Sequence, residues 1–573
     1  MVADTLAQRI GRQLQTIYSE RADEVLPQVL QLTERYVDRF ADRSVAEELW
    51  SERDVVLITY GDQVAEGEQP TLATLQRFLA EFELRDALPI VHLLPFCPYS
   101  SDDGFSVIDF RAIDERLGDW SQLRQLGEHC DLMYDLVLNH VSQHSDWFQG
   151  YLAGDSKYAN WFHEIDPVED LSQVTRPRSH PLLTPFQAAA GERHIWTTFS
   201  DDQVDLNYSE PAVLLEMLDI LLTYVANGAR IIRLDAIAFL WKEIGTTCLH
   251  LEQTHAVVKL FRAVLDAVAP DVILLTETNV PHAENVSYFG DGDEARMVYQ
   301  FALPPLLFDA CVNEDATPLK NWLSSLEPPG TGTTWFNFTA SHDGIGVRPL
   351  EGIVEGERFE RLVTATRERG GRVSMRQMPS GDLQPYELNI TWSDAMRTPG
   401  ESDPLHMRRM LASQAFMLGL QGVPAVYFHS LVGTPNDSEG ADESGQARRI
   451  NRRKFTLDEL RSLLADDPEQ SAIFAGYRQL LATRNVQSAF HPDASQRVLE
   501  TRDPALLAFE RFCPASGQRI VVAANFASTA RTMQIAEWSE NSKSRDLISG
   551  SEFTGQSLTL AACQIVWLVL DSD

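Results

Sequence analysis

Apolar residues recur along this chain in two rhythms. Near the start, Leu6, Ile10, Leu14 and Ile17, then Val25, Val29 and Leu32, fall at helical spacing among charged neighbours, which predicts amphipathic helices lying on a larger body. From residue 55 the apolar residues bunch instead into short, almost unbroken runs, at 55–58, 90–94, 132–138, 231–234 and 272–275. Runs of this kind predict strands covered on both faces, as in a parallel sheet. Amphipathic stretches such as 71–82 and 211–226 lie between them. Strand and helix alternating in this way predict an α/β chain built on a (β/α)8 barrel.

Two stretches interrupt the alternation. Residues 141–210 are rich in Trp, Pro, Asp and Ser, and 348–405 hold Gly, Pro and Arg without clear periodicity; both are long enough to be inserted subdomains. A strand-like run at 422–428 resumes the barrel, and from about 495 short β-prone pieces alternate with turn residues. The expected organisation is a helical extension (1–50), a barrel in three parts (51–140, 211–347 and 406–494), two insertions (141–210 and 348–405) and a C-terminal β-sandwich (495–573).

Composition narrows the function. The 573 residues carry 48 Lys+Arg against 83 Asp+Glu, a formal charge of −35, which repels nucleic acid and anionic membranes. Six scattered cysteines show neither CxxC nor metal-ligand spacing, and the first thirty residues lack the apolar core of a secretory signal. No run of about 18 apolar residues occurs. The expectation is a cytoplasmic protein, monomer or homodimer, acting on small molecules without a metal or other cofactor.

Candidate chemistry gathers just after the strand-like runs: Asp102 and Asp103, Asn139-His140, Asp235, Glu277 and His342-Asp343. In a β/α barrel that end of the strands is the catalytic face. Asp235 and Glu277 would face one pocket, as the retaining cleavage of a glycosidic bond requires, with one ionised carboxylate as nucleophile and a protonated partner about 5–5.5 Å away as acid/base. Arg233 shares a strand face with Asp235 and would hold it ionised, while desolvation would raise the pKa of Glu277. An Arg-x-Asp on a buried strand is, taken alone, more often a structural ion pair.

Four segments change that weighting. Residues 135–140 (DLVLNH), Arg233-Leu234-Asp235-Ala236, Thr276-Glu277 and Ser341-His342-Asp343 resemble, in order, the signature regions of the α-amylase family of retaining glucosidases and transglycosylases. Residues 56–62 (VLITYGD), Leu94-Pro95-Phe96, Asp103-Gly104-Phe105, Lys242-Glu243, residues 302–306 (ALPPL) and 342–346 (HDGIG) look most like its sucrose phosphorylase group. The resemblance implies that Asp235, Glu277 and Asp343 are catalytic and that Asp102, Phe105, His140, Phe199, Arg233, His342 and Arg448 surround the glucosyl ring. It also implies that Arg178, in Thr175-Arg176-Pro177-Arg178, binds inorganic phosphate together with Tyr386.

The acceptor is expected to be read by Leu383-Gln384-Pro385-Tyr386-Glu387, in particular by Gln384, Tyr386 and Glu387. This stretch departs from the sucrose enzymes and looks more like the glucosylglycerol and glucosylglycerate phosphorylases. Glu387 would repel a carboxylate, and Leu383 stands where a cation would be wanted, although Arg376 could reach in. Neutral glycerol is therefore the expected acceptor, which makes 2-O-α-glucosylglycerol the expected α-glucoside; glucosylglycerate and sucrose are alternatives, and a hydrolase using the same carboxylates is a further one.

Overall fold

The computed structural model describes residues 5–41, 46, 48–378, 381–535 and 543–570. Eight parallel strands close into a barrel: β1 (Val56–Thr59), β2 (Ile90–Leu93), β3 (Asp131–Val137), β4 (Ala229–Asp235), β5 (Ile273–Thr276), β6 (Met297–Tyr299), β7 (Thr334–Phe338) and β8 (Val423–Tyr427). Each pairs with its predecessor, and β8 closes on β1. The runs read from the sequence became β1 to β5 and β8. Strands β6 and β7 escaped that reading because β6 is three residues long and β7, Thr-Trp-Phe-Asn-Phe, is interrupted by a polar residue.

The helix Pro211–Ala226 starts on a proline, whose missing N–H costs nothing at that position, and Glu210 accepts a hydrogen bond from Ala212 N. At the N-terminus, Thr5 and Gln8 form a reciprocal cap for Leu6–Tyr18, which buries Ile10, Leu14 and Ile17. A second helix, Ala22–Phe40, buries Val25, Val29 and Leu32. The two pack on Pro211–Ala226 and Glu252–Val268, with Arg9 paired to Asp266 at 2.7 Å.

The stretch 348–405 is more regular than its sequence suggests. It holds the helix Gly356–Glu368 and two antiparallel strands, Arg372–Gln377 and Leu383–Asn389, which form a three-stranded sheet with Ile345–Gly346. The helix buries only Leu362, Val363, Ala365 and Thr366, too narrow a stripe to stand out among its charges.

Near the C-terminus, a six-stranded antiparallel sheet faces the two-stranded pair Arg531–Gln534 and Ser557–Leu560. Side chains alternate as β geometry requires: Leu506, Ala508, Val521 and Ala523 fill the space between the sheets, while Leu507, Phe509 and Val522 turn towards the barrel. There Phe509 meets Phe416 at 5.4 Å. Among the described residues no helix is long and apolar enough to cross a membrane.

Candidate active site

The C-terminal ends of the barrel strands open into a pocket of ≈ 1220 Å³, measured out to its mouth. Asp235 ends β4, and Glu277 follows β5 with its amide still donating to Leu234 O at 3.2 Å. Ala236 then turns left-handed (φ 51°) and its N–H donates to Glu277 Oε2 at 3.1 Å. Asp102 and Asp103 are left-handed as well, at φ 50° and 49°. Three non-glycine residues in a region that costs about 1 kcal/mol or more each mark the pocket rim as strained.

Registry across β3 and β4 sets Asp135 opposite Arg233. Arg233 donates to Asp135 Oδ1, and to Asp235 Oδ1 at 2.7 Å. His92 Nε2 lies 2.7 Å from the other oxygen of Asp135. A buried chain thus runs His92, Asp135, Arg233, Asp235. Burial would raise the pKa of Asp135, but the charges of Arg233 and His92 hold it down at about 2. Neither Asp135 nor His92 was assigned a role from sequence; the β3–β4 register is the missing information.

Arg233 does not by itself keep Asp235 in the ordinary carboxylate range, contrary to expectation. Burial pushes Asp235 up, with Arg233 opposing the rise and the charges of Glu277 and Asp135 adding to it. Burial also pushes Glu277 up, as expected, against Arg233 and with Asp343. Burial thus favours keeping a proton on the pair.

Around them, Arg448 Nη1 meets Asp343 at 2.5 Å, and its Nε and Nη2 clasp Glu387 at 3.0 and 2.9 Å. Asp343 would be raised by burial, but Arg448 and Arg452 bring it below its ordinary value. The fully buried Arg452 donates to His342 O at 2.8 Å and reaches Asp102 and Asp103 at 3.1 and 2.9 Å. His342 stacks on Phe105 with ring centroids 4.7 Å apart, and burial keeps it neutral. His140 Nε2 sits 2.9 Å from Phe105 O, and its ring lies beside Phe199. Asp102, Phe105, His140, Phe199, Arg233, His342, Asp343 and Arg448 all line the one pocket.

The opposite wall is made by loops and by the three-stranded sheet. The guanidinium of Arg178 lies over the rings of Tyr386 (5.4 Å) and Phe199 (5.8 Å). Tyr386 is the extra residue of a β-bulge, since Ser374 pairs with Glu387 and Met375 with Pro385; a bulge re-aims the side chain it carries. Gly344 and Gly346 are glycine because a Cβ would strike Leu388 O at 2.7 Å and Asn279 at 2.3 Å respectively. Close backbone approach accounts for both glycines of Gly344-Ile345-Gly346.

Two expectations for the acceptor loop are corrected. Gln384 is solvent-exposed and is not part of the pocket wall, nor is Leu383; both lie towards the free end of the strand. Glu387 is buried, accepts from Gly344 N, and is clasped by Arg448, so its charge is balanced and does not act on an acceptor as a bare carboxylate would. Six arginines (176, 178, 233, 348, 376 and 448) stand against five carboxyls in the lining, a cationic island in a chain of charge −35.

Residues 89–343 match the model of the α-amylase catalytic domain. The chain is 48% identical over 569 residues to the glucosylglycerate phosphorylase of Allomeiothermus silvanus, covering 98% of this chain and 99% of that protein. The chain belongs to the α-amylase family, in its sucrose phosphorylase-like group. Similarity to the glucosylglycerol phosphorylase of Marinobacter adhaerens is lower, 28% over 421 residues, covering 71% of this chain and 82% of that one. Among solved structures, the fold matches sucrose 6F-phosphate phosphorylase from Thermoanaerobacter thermosaccharolyticum with a TM-score of 0.73 at 24% identity, covering 89% and 98% of the two chains. For this α-amylase family member the glucosylglycerol relative is thus much the less similar of the two, and the charge of Glu387, from which a neutral acceptor was expected, is balanced by Arg448.

Proposed function

We propose that the chain is a retaining phosphorylase that cleaves 2-O-α-glucosylglycerate with inorganic phosphate, giving α-glucose 1-phosphate and glycerate. The observation that carries the reading is the 48% identity, over nearly the whole of both chains, to a glucosylglycerate phosphorylase. The six arginines of the pocket lining agree with it, because both the leaving glycerate and the incoming phosphate are anions.

In this reading Glu277 carries the shared proton and Asp235 the charge, since the hydrogen bond from Arg233 favours an ionised Asp235. Asp235 attacks the anomeric carbon while Glu277 protonates the glycosidic oxygen, releasing glycerate and leaving a glucosyl ester on Asp235. His342 and Asp343 hold ring hydroxyls, and His140, Asp102 and Arg448 close round the sugar; Asp343 is kept ionised by Arg448 and Arg452 and strengthens its hold as positive charge develops on the ring. Phosphate enters beside Arg178 and Tyr386, a phosphate oxygen attacks the same carbon from the opposite side while its proton passes to Glu277, and the Asp235 carboxylate leaves. Arg178 is suited to this because ring faces rather than a carboxylate hold its guanidinium, which leaves its N–H groups for an anion.

Incubation with glucosylglycerate, glucosylglycerol or sucrose in the presence and absence of phosphate tests the proposal. Glucose 1-phosphate should form fastest from glucosylglycerate and only when phosphate is present. Free glucose at an equal rate without phosphate would make the enzyme a hydrolase.

A further inference from the structure

We infer that Arg348 and Arg376, with Asn279 beside them, form the clamp that selects a carboxylate-bearing acceptor; the inference rests on the proposed phosphorolysis of glucosylglycerate. All three residues line the pocket. Arg348 opens the short helical turn Arg348–Leu350 directly after the strand Ile345–Gly346, and Arg376 sits on Arg372–Gln377 in the same small sheet. Val347 N donates to Tyr386 O at 3.1 Å, which ties the start of that turn to the residue proposed to meet phosphate. Gly346 lies directly against the Asn279 amide.

The hydrogen-bond inventory points to the ligand. Each arginine is anchored by one terminal nitrogen to an acid outside the pocket wall: Arg348 to Glu284 at 3.6 Å and Arg376 to Glu351 at 2.5 Å. Their Nε atoms are buried and have no partner, and so is Asn279 Oδ1. A buried donor left unpaired carries the full desolvation cost of a polar group. Arg233, His342 and Asp343 in the same lining also carry such an atom, so the whole pocket, this wall included, is incomplete until something fills it.

Two guanidinium groups and one amide on the same wall describe that occupant. A glycerate unit joined through its 2-oxygen presents a carboxylate, which needs two donors, and one primary hydroxyl, which can donate to an amide oxygen. Glycerol joined in the same way offers two hydroxyls and no charge, so it could satisfy the amide oxygen but would leave two guanidinium groups facing neutral oxygen. Neither arginine could be recognised from sequence, because 28 residues separate them and only the sheet formed by 345–346, 372–377 and 383–389 brings them to one wall.

The test is synthesis from glucose 1-phosphate with glycerate, glyceramide or glycerol as acceptor, using wild-type protein and the variants R348Q, R376Q and N279A. Wild type should use glycerate at least about tenfold better, by kcat/KM, than glyceramide, the isosteric neutral amide. That comparison needs no folded variant. Each arginine variant should raise the KM for glycerate about tenfold or more while leaving that for glycerol, and the KM for phosphate in the cleavage direction, within about threefold. N279A should weaken glycerate and glycerol together. Equal use of glycerate and glyceramide by the wild type, or arginine variants that move the phosphate KM and not the glycerate KM, would overturn the clamp. A wild-type enzyme that makes glucose 1-phosphate from sucrose or glucosylglycerol and none from glucosylglycerate would instead remove the substrate reading, and the clamp with it.

Discussion

The two walls of the pocket are built on opposite terms. On the glucosyl side, charged groups rise from barrel strand ends and are paired: Arg233 with Asp135 and Asp235, Arg452 with Asp102 and Asp103, Arg448 with Asp343. On the acceptor side, side chains come from loops and a small sheet, Arg178 rests on rings, and Arg348 and Arg376 are each paired to an acid outside the pocket lining. A wall that must hold one sugar through a charged transition state gains from being preorganised. A wall that, in the proposed reaction, exchanges glycerate for phosphate in each cycle gains from keeping donors unspent.

Predictions that would break or sharpen this contrast run from large effects to small. Asp235→Asn should lower kcat on the order of 10⁴-fold with the fold intact, measured as glucose 1-phosphate release. The same variant tests the buried pair. A carboxyl whose pKa is raised in the native state favours folding below its unfolded value, near 4, and that advantage disappears as pH rises through the native value. The asparagine variant should therefore gain in melting temperature over wild type more at pH 8 than at pH 5. In the wild type, kcat/KM should fall on the alkaline side as the pair loses its shared proton; a flat profile up to pH 9 would contradict the assignment of that proton.

Arg178→Ala addresses the other wall. It should raise the KM for phosphate about 10- to 100-fold, the worth of one charge-assisted contact, and increase the fraction of glucosyl units lost to water. Glu387→Gln sits at the seam between the walls, where it clasps Arg448. It should lower kcat/KM by about tenfold and reduce the melting temperature, because Arg448 keeps only Asp343. If glycerol use rises over glycerate in that variant, Glu387 acts on the acceptor after all. Gln384→Ala, on an exposed side chain outside the wall, should change neither KM by more than about twofold.

Much of the glucosyl wall was legible without a structure, because its residues lie in short segments at strand ends and their spacing is set by the barrel itself. Asp235 ending β4 and Glu277 following β5 are local consequences of where an apolar run stops. Strand β6 and the helix Gly356–Glu368 were not legible, since three residues carry no period and a helix with a narrow buried stripe looks like a charged loop. The argument for a neutral acceptor lost its footing for a related reason: the sign of one side chain, Glu387, was taken without its partner 61 residues away.

What the sequence determined by itself was the barrel, the carboxyl pair and the presence of arginines in an acidic chain, all of them set by local order and residue type. Tertiary structure alone decided which charges cancel. Arg448 neutralises Glu387, the β3–β4 register joins Asp135 to Arg233, and burial rather than Arg233 sets the direction of Asp235. The physical reason is that a charge's effect depends on its distance to other charges and on the water left around it, and neither quantity exists until distant segments have packed together.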